Sequence, residues 1–241
     1  MTALALLHGT NSDGPSAFGH VIDRFTDQWK VLTPDYGGAG RSTVADGPLS
    51  LELLVAEIAE ALRSGGEEPT DLVGHSLGAV VAAATAATHP ELVHRLVLIA
   101  PWSDSRNPRH RLMFETWLGL QTLDPELGQR FGLSHAFSPT FLAALEQQQL
   151  DAMLSSNPPA GLDRRIDLGL RIDLTETLSA VTAPTLVIGL TKDSLVPLEH
   201  ARSVHQAIPT STFTEIDTGH AALLENPEAT VTAIRTFLLP N

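Results

Sequence analysis

The stretch TDLVGHSLGAVVAAATAATHPE, Thr70 to Glu91, sets a serine between two glycines, behind a short apolar run and ahead of a long alanine-rich one. Asp71–Gly74 reads as a buried strand, and the segment from about Leu77 to Thr88 as a helix. A chain that passes from strand to helix in one step holds the residue between them in a strained turn, where neighbours without a Cβ avoid a clash. The small residues that follow, Ala79, Ala82, Ala83, Ala84, Ala86 and Ala87, let the helix lie close to the sheet. Gly74-His75-Ser76-Leu77-Gly78 also fits G-x-S-x-G. Chance supplies about 0.08 such matches in a chain this long, so the strand before it and the helix after it decide its meaning.

Outward from this stretch the same rhythm repeats. Apolar runs at Ala3–Leu7, Trp29–Asp35, His94–Ala100, Thr185–Gly189 and Ser211–Asp217 join Asp71–Gly74 to make six strands. Helical patterns separate them: PSAFGHVIDRF, Ser50–Gly66, Leu77–Thr88, Leu198–Ile208 and Asn226–Leu239. Short apolar strands alternating with helices imply a mostly parallel sheet covered on both faces. The rhythm breaks between Trp102 and Ala180, an insertion too long for a loop. RHRLMFETWLGLQTL, DPELGQRFGL, SPTFLAALEQQQLDAMLSS and a weaker segment near Leu162–Leu174 read as helices, with Pro-rich SNPPAG before the last. The expected organisation is a core of residues 1–101 and 181–241 with a helical cap, 102–180, over one end of the sheet.

Composition narrows the function. The chain has 241 residues, a formal charge of −13 and no cysteine. That excludes thiolate chemistry, disulfides and cysteine-ligated metals, and it argues against a nucleic-acid partner. No run reaches the roughly 20 apolar residues of a membrane helix, and MTALALLHG lacks the basic start of a signal peptide, so a cytoplasmic protein is expected. The sequence carries no nucleotide-phosphate loop, no complete dinucleotide fingerprint and no H-E-x-x-H, so no cofactor and no metal are implied.

A serine hydroxyl needs a base, and the base an orienting acid. His220, in IDTGHAALLENP, follows the last strand and stands out among ten histidines. His8, His75, His89 and His94 lie near strand or helix ends and read as packing or surface residues. His110, His135, His200 and His205 read as surface residues of helices. Asp193, in GLTKDSLVP, follows the strand Thr185–Gly189 at the sheet end where Ser76 and His220 also emerge, which is where such sheets bind ligands. Asp104 is a rival acid, and Asp217 reads as a surface carboxylate. Backbone N–H groups of Leu77 and of Thr10, in HGTN after the first strand, are the candidate oxyanion donors.

Together LHG, PDYGGAGRS, GHSLGA, PELVHRLVLIAP, APTLVIGLTKDSLVP and DTGHAALLENP resemble the α/β-hydrolase superfamily, in particular its small capped members. The resemblance implies the triad Ser76, Asp193 and His220, with Thr10 and Leu77 at the oxyanion hole. The chain departs from the family at one point: its first strand starts at about Ala3, so the sheet is expected to lack the family's first hairpin, which exposes an edge strand that a second copy can cover as a homodimer. The expected activity is hydrolysis of a carboxylic ester, lactone or thioester of a small molecule through an acyl-enzyme. Three alternatives stay open: C–C bond hydrolysis, biosynthetic acyl transfer, cyclisation or elimination on the same triad, and a non-catalytic ligand-binding protein. Within the cap, Trp102, Met113, Trp117, Phe137 and Phe141 are candidate substrate-binding residues. Arg106, Arg109 and Arg111 form a basic run able to meet a carboxylate or the phosphopantetheine of an acyl carrier or CoA.

Overall fold

The computed structural model describes residues 2–40, 42–43, 47–66, 69–155 and 159–239. The first half of the Pro-rich break expected at SNPPAG, residues 156–158, therefore lies outside the described residues. The strands are β1 (Ala3–Leu7), β2 (Lys30–Leu32), β3 (Thr70–His75), β4 (Val93–Ile99), β5 (Thr185–Leu190) and β6 (Ser211–Ile216). They form one sheet in the order β2-β1-β3-β4-β5-β6, and every pairing is parallel. The helices are α1 (Gly14–Phe18), α2 (Leu51–Gly65), α3 (Leu77–Thr88), α4 (Pro108–Leu123), α5 (Pro125–Ala136), α6 (Pro139–Ala144), α7 (Gln147–Leu154), α8 (Leu162–Gly169), α9 (Leu198–Ala207), α10 (Ala222–Glu225) and α11 (Pro227–Leu238).

Strand alternation divides the core into two layers. Ala5, Leu7, Leu72, Leu96, Leu98 and Val187 face a layer built from α2, α3, α9 and parts of the inserted helices. Leu4, Leu6, Val73, Val97, Ile99 and Ile188 face the other, with Phe18, Val231, Ile234 and Leu238 from α1 and α11. Burial on both faces explains why these strands read as continuous apolar runs. Helix α3 is buried almost along its whole length, which its alanines permit.

Two helical expectations need correction. PSAFGHVIDRF does not form one helix: α1 ends at Phe18, and a separate 3₁₀ turn spans Ile22–Arg24. SPTFLAALEQQQLDAMLSS splits into α6 and α7, because Leu145 and Glu146 are extended and Glu146 starts a new helix through a capping box with Gln149. Among the described residues, five α-helices, α4 to α8, occupy the insertion between β4 and β5. Its two ends run antiparallel at the sheet: Ser105 N–H donates to Ile172 O at 3.0 Å, and Leu174 N–H to Ser103 O at 2.7 Å, on either side of an Asp104–Asp173 bridge. Among the described residues no helix is long and apolar enough to cross a membrane.

Candidate active site

Ser76 stands at the junction of β3 and α3 with φ 57° and ψ −123°, a conformation that costs an L-residue on the order of 1–3 kcal/mol. The two glycines make the junction possible by close approach. A Cβ on Gly74 would fall 2.2 Å from Gly78 O, and one on Gly78 2.1 Å from Leu7 O, so backbone packs directly on backbone. Ser76 itself is anchored by its N–H to Ile99 O at 2.9 Å.

The loops after β5 and β6 bring their side chains to this point. His220 Nε2 lies 2.8 Å from Ser76 Oγ, and His220 Nδ1 lies 2.6 Å from Asp193 Oδ2. The other carboxylate oxygen of Asp193 accepts the N–H groups of Leu195 and Val196, both at 2.8 Å. All three side chains are buried. The insertion ties the two loops together: Ser194 Oγ donates to His135 O at 3.0 Å and Ala221 N–H to Ala136 O at 2.8 Å. Asp104, the rival acid, turns instead to Arg106 at 3.1 Å, and exposed Asp217 pairs with Lys192.

Opposite the serine lies the loop after β1. The Thr10 N–H has no acceptor among the described residues, and the Leu77 N–H, at the first position of α3, has none within the helix. Three bonds fix the loop's carbonyl groups. The buried Tyr36 hydroxyl donates to His8 O, His8 Nδ1 lies 2.9 Å from Gly9 O, and Arg165 Nε donates to Thr10 O at 2.8 Å. A carbonyl only accepts, so His8 carries its proton on Nδ1. By the same logic His75, whose Nε2 lies 2.8 Å from His220 O, is protonated on Nε2.

Burial holds these rings neutral: the pKa falls to about 4 for His8, to about 3 for His75 and to about 4 for His110. The unfolded chain, with ordinary histidines near 6.5, takes up those protons first. Stability is therefore complete above pH 6.5 and declines as pH falls toward 4, by roughly 1.4 kcal/mol per histidine per pH unit. Urea midpoints measured at pH 7.5, 6 and 5 should drop steeply. A flat series would mean that these rings are already charged in the folded chain.

A cavity of about 470 Å³ opens at Ser76. Ser76, His75, His220, Gly9 and Thr10 line one side, and Trp117, Leu133, Phe137, Met153, Leu195 and Leu223 form an apolar wall. Of the five aromatic and methionine candidates, Trp117 and Phe137 reach it. Trp102, Met113 and Phe141 do not. Trp102 is wholly buried against His110 and Phe114, Met113 packs on the core, and Phe141 stacks behind Phe137 with ring centroids 4.9 Å apart. The arginine run is also elsewhere: Arg106 pairs with Asp104, Arg111 with Glu115, and Arg109 donates to Ser194 O. Among the described residues no lysine or arginine lines the cavity.

Several participants were not legible in the sequence. His110 and His200, expected at the surface, are buried, with His110 Nε2 on Gly169 O at 2.9 Å. Arg165 is also buried and lies in no motif, and Tyr36, buried too, lies in PDYGGAGRS, where nothing in the sequence marks a role for it. Among the described residues no group of three or more histidine, aspartate or glutamate side chains is gathered to hold a metal ion.

The family model described as alpha/beta hydrolase fold matches residues 2–227. The chain belongs to the α/β-hydrolase fold family. Pyrrolizixenacetamide deacetylase of Xenorhabdus hominickii is 36% identical over 240 residues, covering 98% of this chain and 90% of that protein. Among solved structures, MGS-M2, an alpha/beta hydrolase enzyme from a Medee basin deep-sea metagenome library, superposes with TM-score 0.90 at 19% identity over 100% of this chain and 90% of its own. A thermophilic esterase from Thermogutta terrifontis gives TM-score 0.81 at 24% identity, over 99% and 89%. The 36% identical relative is named as a deacetylase, and the protein is an enzyme of the α/β-hydrolase class.

Proposed function

We propose that the protein is a serine hydrolase that cleaves a carboxylic ester, lactone or thioester of a small molecule through an acyl-enzyme. The observation that carries this reading is the relay from Ser76 Oγ through His220 to Asp193, at 2.8 and 2.6 Å, on the wall of a largely apolar cavity. In this mechanism Ser76 Oγ attacks the acyl carbon as His220 Nε2 takes its proton. The Thr10 and Leu77 N–H groups receive the developing oxyanion. Collapse expels the leaving group, which takes the proton back from His220. Water then gives a proton to His220 and its oxygen to the acyl carbon, releasing a carboxylic acid and restoring Ser76. Residues 102–180 act as a cap whose Trp117 and Phe137 shape the acyl site, over a core of 1–101 and 181–241.

A second reading, hydrolysis of a small N-acyl group, is favoured by the 36% identical relative named as a deacetylase. The same attack applies, with an amine as the group that leaves with the proton.

Intact-protein mass after fluorophosphonate treatment tests the mechanism. One adduct is expected on the wild type, none on Ser76→Ala and a much slower one on His220→Ala. An acetate ester and an acetamide of matched aromatic groups then separate the two readings. A folded wild type that takes no label and turns over neither substrate would sink both, leaving a ligand-binding protein.

A further inference from the structure

Arg165, on α8, is 0% exposed, yet among the described residues no carboxylate stands at ion-pair distance from it. Its guanidinium is caged by carbonyl groups from three separate segments. Nε donates to Thr10 O at 2.8 Å, and Nη1 donates to Gly37 O and to Ala160 O, both at 3.0 Å. Nη2 has no partner among the described residues. A buried, unpaired cation costs a fold several kcal/mol that an apolar side chain of similar length would not. An apolar side chain could fill the space, but only a donor of this reach can hold carbonyls of all three segments.

The cage has a direction. Thr10 and Ala160 both line the cavity, on the β1 loop and on the segment leading into α8. With His8 O held by Tyr36 and Gly9 O by His8 Nδ1, the bond from Arg165 fixes the third successive carbonyl of the loop. A trans peptide sets its N–H opposite its C=O, so a peptide whose oxygen is held cannot swing its N–H away. Gly9 O aims the Thr10 N–H, and Thr10 O stops the following peptide from rotating beneath it.

We propose that Arg165 is a positioning residue of the oxyanion site: reaching from the inserted helices, it holds the Thr10–Asn11 peptide by its carbonyl and so braces, from its C-terminal side, the Gly9–Thr10 peptide whose N–H faces the charge that develops at the acyl carbon. This rests on Thr10 being an oxyanion donor, as in the proposed mechanism. Arg165 touches no substrate, and its effect is confined to the transition state.

The test compares wild type, R165M and R165K, each checked for folding by its thermal midpoint. The readouts are kcat and KM for an acetate ester, and affinity for a trifluoromethyl ketone, whose adduct with a serine places an oxyanion where the transition state does. R165M should lose about 10- to 100-fold in kcat with KM within about 2-fold. Its ketone affinity should fall in parallel with kcat. Should R165M not fold, R165K decides on the same readouts, since lysine keeps the charge but cannot span the three carbonyls. A folded variant with wild-type kcat overturns the proposal, as does one whose KM rises while ketone affinity holds. A wild type that neither labels with fluorophosphonate nor turns over overturns the functional reading and this proposal with it. A reactive wild type matched by its Arg165 variants overturns this proposal alone.

Discussion

Asp193→Asn should lower kcat by about 10⁴-fold while leaving the fold intact. The two oxygens of Asp193 have separate tasks. Oδ1 accepts Leu195 N–H and Val196 N–H, and Oδ2 accepts the proton of His220 Nδ1 at 2.6 Å. Asparagine can keep the first pair with its carbonyl oxygen, so the loop should hold. Its NH₂ then faces Nδ1 and offers a proton where one was accepted. The imidazole must move its own proton to Nε2, the atom that takes the proton of Ser76 Oγ. The nucleophile is then left without a base, and no countercharge stabilises an imidazolium. Steady-state kinetics on a reactive ester, with a denaturation curve alongside, checks both halves. A loss of less than tenfold would mean that the acid does not set the tautomer.

Gly78→Ala should cost about 3 kcal/mol or more. A Cβ there meets Leu7 O at 2.1 Å and His8 O at 2.6 Å, and neither atom belongs to a side chain that can swing aside. Relief requires moving α3 off β1 or pushing back the loop that carries Thr10, so labelling of Ser76 should slow as stability falls. Gly119 is the control. It sits inside α4 with nothing within 4 Å of its would-be Cβ, so G119A should be neutral or stabilising by about 0.5–1 kcal/mol. Urea unfolding of both variants makes the comparison. Equal midpoints for G78A and wild type would show that helix and strand do not approach this closely.

These two variants mark what the sequence makes readable. The Ser76 turn announces itself because its steric demand is local and falls on residues four apart, Gly74 and Gly78. Asp193 and His220 could be chosen because parallel strands deliver their following loops to one end of the sheet. The cavity wall is different. Helical spacing marks Trp102, Met113, Trp117, Phe137 and Phe141 as apolar alike, but it does not say whether a face meets another helix or a void. Only Trp117 and Phe137 meet the void among those five. Arg165 was unreadable for a related reason. A cation held by backbone carbonyls needs no acidic partner, so no second residue in the sequence betrays it.

The two-rung ladder that closes the insertion, Ser105 on Ile172 and Leu174 on Ser103, has an evolutionary consequence. The residues between those rungs meet the rest of the chain at the two pinned ends, at residues 135–138, at Arg165 and through buried side chains such as Phe114, Leu162 and Ile166. Doubling the length of such a loop adds only about 0.6 kcal/mol of closure entropy. Lineages descending from this architecture can lengthen or trim the exposed parts of the segment, such as α7, with little penalty to the strands beneath, so long as the pinned ends, the buried face of α4 and α8 and the contacts of residues 135–138 and Arg165 persist. Diversification of the chamber and preservation of the chemistry thus fall on different stretches of one gene.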